Sequence, residues 1–420
     1  MKSDKLIAMH NGALGDFLCA WPALLALALG AGASGMMAGA PGMMAEDTGP
    51  ELATAQDGEG NDAPRLLFAG NMERMHWLAP LGYAPCPPAM RRALEGLYGL
   101  SDLYEESDAD APGKTPGSSE QHWPEALAHT KVAWFCLDRP PVAAHPRIVP
   151  LPCLTPHAET EGPAHVTDAL RRRLETAHAR SLPGPPRWDA DWPAVWQRLF
   201  GGWKGADSRT VVLVPGAGHR AKQWPPQRFA AVAGALAQAG YNPLYVLGPA
   251  ELERGLDREA LVPDGLPEGH EVPVITPADH GELAQAVRSA RLVIGNDSGP
   301  LHLAALHGTP VLALFGPASA AVWRPHGAAA LASPLGCAPC SATLRTLGCN
   351  WKPGVGKGGG WTAQTDGDDL PGGPAPSVLS APCMAAITVD AVLDATWKLL
   401  DAAGVAYARN AKRKTGPTPL

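Results

Sequence analysis

Short unbroken apolar runs, closed off by glycine and proline and alternating with stretches of helical period, recur along the whole 420-residue chain. In the first half they fall at residues 6–9, 66–68, 131–135 and 147–151, and in the second at 210–214, 244–247, 292–294 and 311–314. Runs of this length, bounded in this way, predict strands covered on both faces, as in parallel sheets. Between them the spacing predicts helices over 18–29, 90–100, 166–180, 192–200, 226–239, 280–290 and 300–307, the fifth carrying Phe229, Val232 and Leu236 on one side. A last amphipathic helix is expected over 389–406, followed by a basic tail that frays. Strand–helix alternation of this kind defines an α/β protein. Its breaks are an acidic, glycine-rich insertion at 46–64, a loop at 107–119, a Pro-Gly-Pro-Pro-Arg-Trp linker at 183–188 and a Gly/Pro-rich insertion at 352–382. Three parts follow: an amino-terminal domain over 1–200, a second over 201–388, and a helix with tail over 389–420.

The densest pattern is LVIGNDSGPLHLAALHGTPVLALFGP, residues 292–317. It reads as a buried strand, a Gly-Asn-Asp-Ser-Gly turn, a short helix and a second buried strand. Asp297 or Ser298 can cap that helix, and its free N–H groups, beginning at Gly299, then offer a seat for a phosphate. The plainer reading makes the aspartate and serine caps only, and His302 a satisfied core histidine. A second candidate follows the first strand, where Gly12 and Gly15 permit a tight strand-to-helix turn and Asp16 stands at its mouth. A carboxylate there can accept a proton from a bound hydroxyl, or simply cap the helix. A third is the 215–225 loop, PGAGHRAKQWP, whose glycines bring N–H groups close and whose Lys222 is a mobile positive charge. A fourth is Glu251, just past the strand at 244–247 and equally suited to the first turn of a helix.

The 297–317 string resembles the signature of glycosyltransferase family 9, the heptosyltransferases of lipopolysaccharide core assembly. Two further segments are similar to that family: the opening strand with G-x-L-G-D and a following Pro-x-Leu (Gly12, Leu14, Gly15, Asp16, Pro22, Leu24), and the loop with Lys222, Trp224 and Pro225. The resemblance runs from about 6 to 400. It implies the GT-B fold, two Rossmann-like domains with parallel sheets facing across a cleft, with the acceptor on the first and the sugar nucleotide on the second. It also implies metal-independent, inverting transfer of a heptose from ADP-heptose to a hydroxyl of a lipopolysaccharide core acceptor. Asp16 would be the base and Lys222 the partner of the donor diphosphate. Glu251 would hold the nucleotide ribose. Asp297 would order the turn, while Ser298, Gly299 and His302 would steady the leaving group. Ala217, Gly218 and Ala221 stand where family members often carry hydroxyl residues, a departure that bears on the phosphate contacts.

Composition narrows this little further. A net charge of -7 gives no general attraction to nucleic acid, while Arg171, Arg172, Arg173 and the tail can meet an anionic surface such as the inner membrane. Eight cysteines in a chain this long do not form a disulfide scaffold, so a cytoplasmic protein is expected. Cys337, Cys340, Cys349 and Cys383 offer a structural zinc site, although no cofactor is required for the implied reaction. The uncharged stretch at 17–45 suggests a signal peptide, but Pro22 and the glycines at 30, 32, 35 and 39 favour a buried helix instead. Two alternatives remain: a non-catalytic nucleotide-binding protein of the same fold, and another GT-B sugar-nucleotide enzyme, including one of epimerase type.

Overall fold

The computed structural model describes residues 5–32, 65–97, 123–136, 145–152, 164–178, 182, 185–248, 251–252, 256, 258–264, 271–340, 353–355, 361–363 and 380–414. The expected insertion at 46–64, the loop at 107–119, Cys349 and most of 352–382 lie outside them. The chain divides into two compact units.

The first unit contains β1 (Lys5–His10), α1 (Leu14–Gly30) from Ala20 onward, β2 (Leu66–Gly70), α2 (Met75–Leu78), β3 (Tyr83–Pro85), α3 (Pro88–Glu95), β4 (Thr130–Cys136), β5 (Ile148–Pro152) and α4 (Val166–His178). Its sheet runs β3-β2-β1-β4-β5, parallel throughout. β1 lies in the middle, so Leu6 to Met9 are buried on both faces. Proline donates nothing to a ladder, and Pro85, Pro150 and Pro152 sit on the two edge strands. α1 is apolar on every side and buried from Phe17 to Leu29, with Pro22 inside it, as suits a helix enclosed in a core. α3 stops at Glu95, short of the expected 100.

The second unit contains Ala13–Cys19, which are the first turns of α1 and the residue before them, together with His165 and everything described from Pro193 onward. Its elements are most of α5 (Trp192–Phe200), then β6 (Thr210–Val214), α6 (Pro226–Gln238), β7 (Asn242–Val246), β8 (Val274–Ile275), α7 (His280–Ser289), β9 (Leu292–Asn296), α8 (Gly299–Leu306), β10 (Val311–Phe315), α9 (Ala320–Trp323) and β11 (Ala329–Ala332). β12 (Pro353–Val355) and β13 (Trp361–Ala363) pair antiparallel within the expected insertion, ahead of α10 (Pro382–Ala385) and α11 (Val389–Lys414). The large sheet runs β11-β10-β9-β6-β7-β8, again parallel. Val211, Leu213, Leu292, Ile294, Leu312 and Leu314 from its strands meet Phe229, Val232 and Leu236 of α6 and Met384, Ile387, Val392 and Leu400 near the carboxyl end in one core. Helix α11 runs past the expected end at 406 to Lys414, and 415–420 lie outside the described residues.

In this sheet the strand order reverses between β6 and β9. In open parallel sheets the crevice beyond the carboxyl ends of the strands at such a reversal is where ligands bind. The two loops that leave there are 215–224 and the turn at 297–298.

Candidate functional site

Asn296 closes β9 and is completely buried. Its Nδ2 donates to the Pro215 carbonyl (2.7 Å), and its Oδ1 accepts the Trp224 N–H (3.0 Å). One amide therefore ties down both ends of the 215–224 loop. Within the loop, Arg220–Lys222 form a single 3-10 turn capped by His219, whose Nδ1 accepts the Ala221 N–H at 3.1 Å. The Trp224 indole, itself buried, donates to the Ile387 carbonyl at 2.9 Å.

This bracing delivers Lys222 to the turn after β9. Its Nζ lies 2.6 Å from Oδ2 of Asp297, and the two side chains are 22% and 6% exposed. A carboxylate that buried requires a cationic partner, and a lysine with a short stretch of open surface leaves donor capacity for an incoming anion. Ser298 is the N-cap residue of α8 but makes no side-chain capping bond, and its Oγ is buried with no partner among the described residues. The expected cap is thus absent, because Asp297 turns to Lys222 and Ser298 does not reach the helix N–H groups. The start of α8 keeps its N–H groups free of side-chain caps, the condition under which a helix end attracts negative charge.

His302, one turn further on, is buried, with Nε2 4.0 Å from Asp297 Oδ1 and Nδ1 3.5 Å from the Cys19 sulfur. Burial pushes its pKa down to about 4; Asp297 pulls the other way, and His165 and Lys222 reinforce the burial. The ring is neutral at pH 7 and brings a hydrogen-bonding edge rather than a charge. Gly15 and Gly299 meet here: a Cβ on Gly299 would lie 2.9 Å from the Leu14 Cβ and 3.1 Å from the Gly15 nitrogen, so the two helix starts approach this closely only without a side chain. Asp16, the third residue of α1, is half-buried, and its Oδ2 accepts the Ala13 N–H at 3.1 Å, reaching back as a capping-box carboxylate does.

Glu251 completes the constellation. Its Oε2 accepts the Gly248 N–H at 2.9 Å, and its carboxylate lies over Gly216, where an added Cβ would stand 2.2 Å from Oε1. The structure thereby brings Lys222, Glu251, Asp297, Ser298, Gly299 and His302 around the mouths of β6, β7 and β9. Gly12 belongs to the first unit, where its carbonyl accepts from the Arg74 guanidinium at 2.6 Å; the same group lies 3.0 Å from His10 Nδ1. Sequence reasoning missed two residues. Arg74 sits in a short turn with no pattern to mark it, whereas Asn296 stood in the Gly-Asn-Asp turn, where a polar residue closing an apolar strand was itself a signal. Among the described residues no three histidine, cysteine or acidic side chains gather as metal ligands. Cys337 is exposed, Cys340 half-buried and Cys383 buried, with Cys383 packed against Ala221 and Ala381.

Two parallel sheets, each with its central strands buried between helices, and a set of polar groups at the switch point of the second define an α/β protein of two Rossmann-like units. Residues 196–350 match the model of glycosyltransferase family 9 (heptosyltransferase). Lipopolysaccharide heptosyltransferase 3 of Escherichia coli is 33% identical over 139 residues, which is 32% of this chain and 39% of that relative. The chain thus matches well under half the length of this curated relative. Among solved structures, ADP-heptose lps heptosyltransferase II of E. coli aligns over 94% of this chain and 98% of its own, at 14% identity and a TM-score of 0.48. The iron-containing dodecameric glycosyltransferase TibC of enterotoxigenic E. coli aligns over 94% and 78%, at 14% identity and a TM-score of 0.44.

Proposed function

We propose that the protein is an inverting glycosyltransferase that moves a heptose from ADP-heptose to a hydroxyl of a lipopolysaccharide core acceptor. The observation that carries this reading is the placement of Lys222 by Asp297 at the uncapped start of α8, inside the region that matches the family. A diphosphate set there would meet a positive side chain, the helix N–H groups and the Ser298 hydroxyl. All three act on charge that grows as the sugar leaves, the electrostatic contribution usually worth several kcal/mol. Glu251, held beside Gly216, is placed to accept the two ribose hydroxyls of the nucleotide. The neutral His302 ring serves as a hydrogen-bond donor in this scheme. Asp16 removes the acceptor proton. The groups named supply the base and the leaving-group assistance, so the scheme calls on no metal. The proposed site of action is the cytoplasmic face of the inner membrane, where the acceptor would be met peripherally; among the described residues no helix is long and apolar enough to cross a membrane.

The test is transfer from labelled ADP-, GDP- and UDP-sugars to purified core acceptor, with product analysed by mass and anomeric configuration. Inverted product that requires ADP-heptose supports the proposal. Nucleotide binding without transfer would make the protein an idle binder, and sugar-nucleotide isomerisation without acceptor would place it with the epimerase-type enzymes.

A further inference from the structure

We infer that Asn296 is the positioning residue of the phosphate grip, acting on Lys222 through the loop it closes; this rests on the reading of the site as a nucleotide diphosphate pocket. The residue is fully buried, and its side-chain amide is used at both ends, toward Pro215 and Trp224. Between those anchors the chain makes one 3-10 turn, and Lys222 leaves that turn two residues before Trp224. The next residue after Asn296 is Asp297, which takes the Lys222 ammonium. One strand end therefore fixes the loop through residue 296 and the lysine head through residue 297, and a shift of the first displaces the second.

The chemistry requires an amide. Oδ1 must accept from a buried N–H and Nδ2 must donate to a buried carbonyl. Aspartate keeps the first bond and turns a negative oxygen on the Pro215 carbonyl, while alanine removes both. The main chain at 215–216 also lies under the Glu251 carboxylate, so its loss of anchorage disturbs the ribose partner as well as the phosphate partner.

Asn296→Ala and Asn296→Asp are to be compared with the unaltered full-length protein by ADP titration calorimetry, by the rate at which N-hydroxysuccinimide acetate acetylates Lys222, and by thermal unfolding. The expected result is a cooperative melt for at least one variant, an ADP Kd raised tenfold or more, and Lys222 acetylation accelerated several-fold. The acetylation readout does not depend on nucleotide, and a residue that only stabilises the fold would lower the melting point without moving it. Variants that melt earlier but keep ADP affinity within twofold and an unchanged acetylation rate overturn the inference. So does loss of cooperative folding in both variants, which would make Asn296 a residue of the fold as a whole. Failure of the unaltered protein to bind ADP, GDP or UDP removes the functional reading and this inference together, whereas normal binding by the parent with normal binding by the variants removes the inference alone.

Discussion

At the scale of single residues, Asp16 has one observed contact and one proposed role, and a single substitution separates them. Its Oδ2 accepts the Ala13 N–H, and an asparagine oxygen can do the same, so Asp16→Asn is expected to keep the start of α1 intact. If the carboxylate also removes the acceptor proton, turnover falls about 10²–10⁴-fold while ADP binding stays within twofold. Steady-state rates and calorimetry on the same preparation check this, and near-normal transfer would assign Asp16 to the cap alone. Lys222→Ala is different in kind. It leaves the Asp297 carboxylate, 6% exposed, without its cation. Stability should drop by on the order of 1–3 kcal/mol, visible in urea unfolding, and ADP affinity should weaken with it. Much of this was open to a sequence reader: the glycine turn, the lysine loop and the Asp-Ser-Gly string are local patterns. That Ser298 fails to cap was not, because whether a hydroxyl reaches the N–H groups depends on the backbone turn, and whether an aspartate caps depends on which distant lysine arrives.

Among the elements, the legible ones were those buried on both faces. β6, β9 and β10 are runs of apolar side chains with neighbours on either side, and their limits match the expected ones within two residues. β3, β8 and β11 escaped notice for a common reason. They are edge strands of three, two and four residues, too brief for a periodic signal, and β3 and β11 are also rich in alanine or proline. Helix starts carried clearer marks. α7 is capped by Asp279, whose Oδ1 accepts the N–H groups of Gly281 and Glu282, while the Glu282 carboxylate returns to the Ala278 N–H. Asp279→Ala is expected to cost about 1 kcal/mol, read as a lowered urea midpoint with an unchanged slope, and to leave ADP affinity alone.

Over the whole molecule, two buried histidines set an acid limit on stability. His302 and His307 each have a pKa lowered to about 4, His302 by burial, with His165 and Lys222 adding to it and Asp297 opposing, and His307 by burial with Arg288 nearby. The unfolded chain takes up protons near pH 6.5, the folded one only near 4, so the unfolded state binds more protons between those values. Stability is therefore full above about pH 6.5 and declines as pH falls toward 4, by up to roughly 3 kcal/mol for each ring. Urea unfolding at pH 7 and pH 5 measures the decline. His307→Gln, at the ring that packs edge-on to Trp196, should make the decline smaller, and an unchanged decline would mean that other groups carry it.

The bond from the Trp224 indole to the Ile387 carbonyl also has a consequence in time. A ribosome makes the loop that holds Lys222 more than 150 residues before it makes the segment on which that loop leans. Until the final stretch emerges, the core around Phe229 and Leu236 lacks Met384, Ile387, Val392 and Leu400, and the nascent second sheet has an uncovered apolar side. A nascent chain halted shortly before Ala381 should thus be the form that chaperones hold longest, and release of the last segment should be what makes it able to grip a nucleotide.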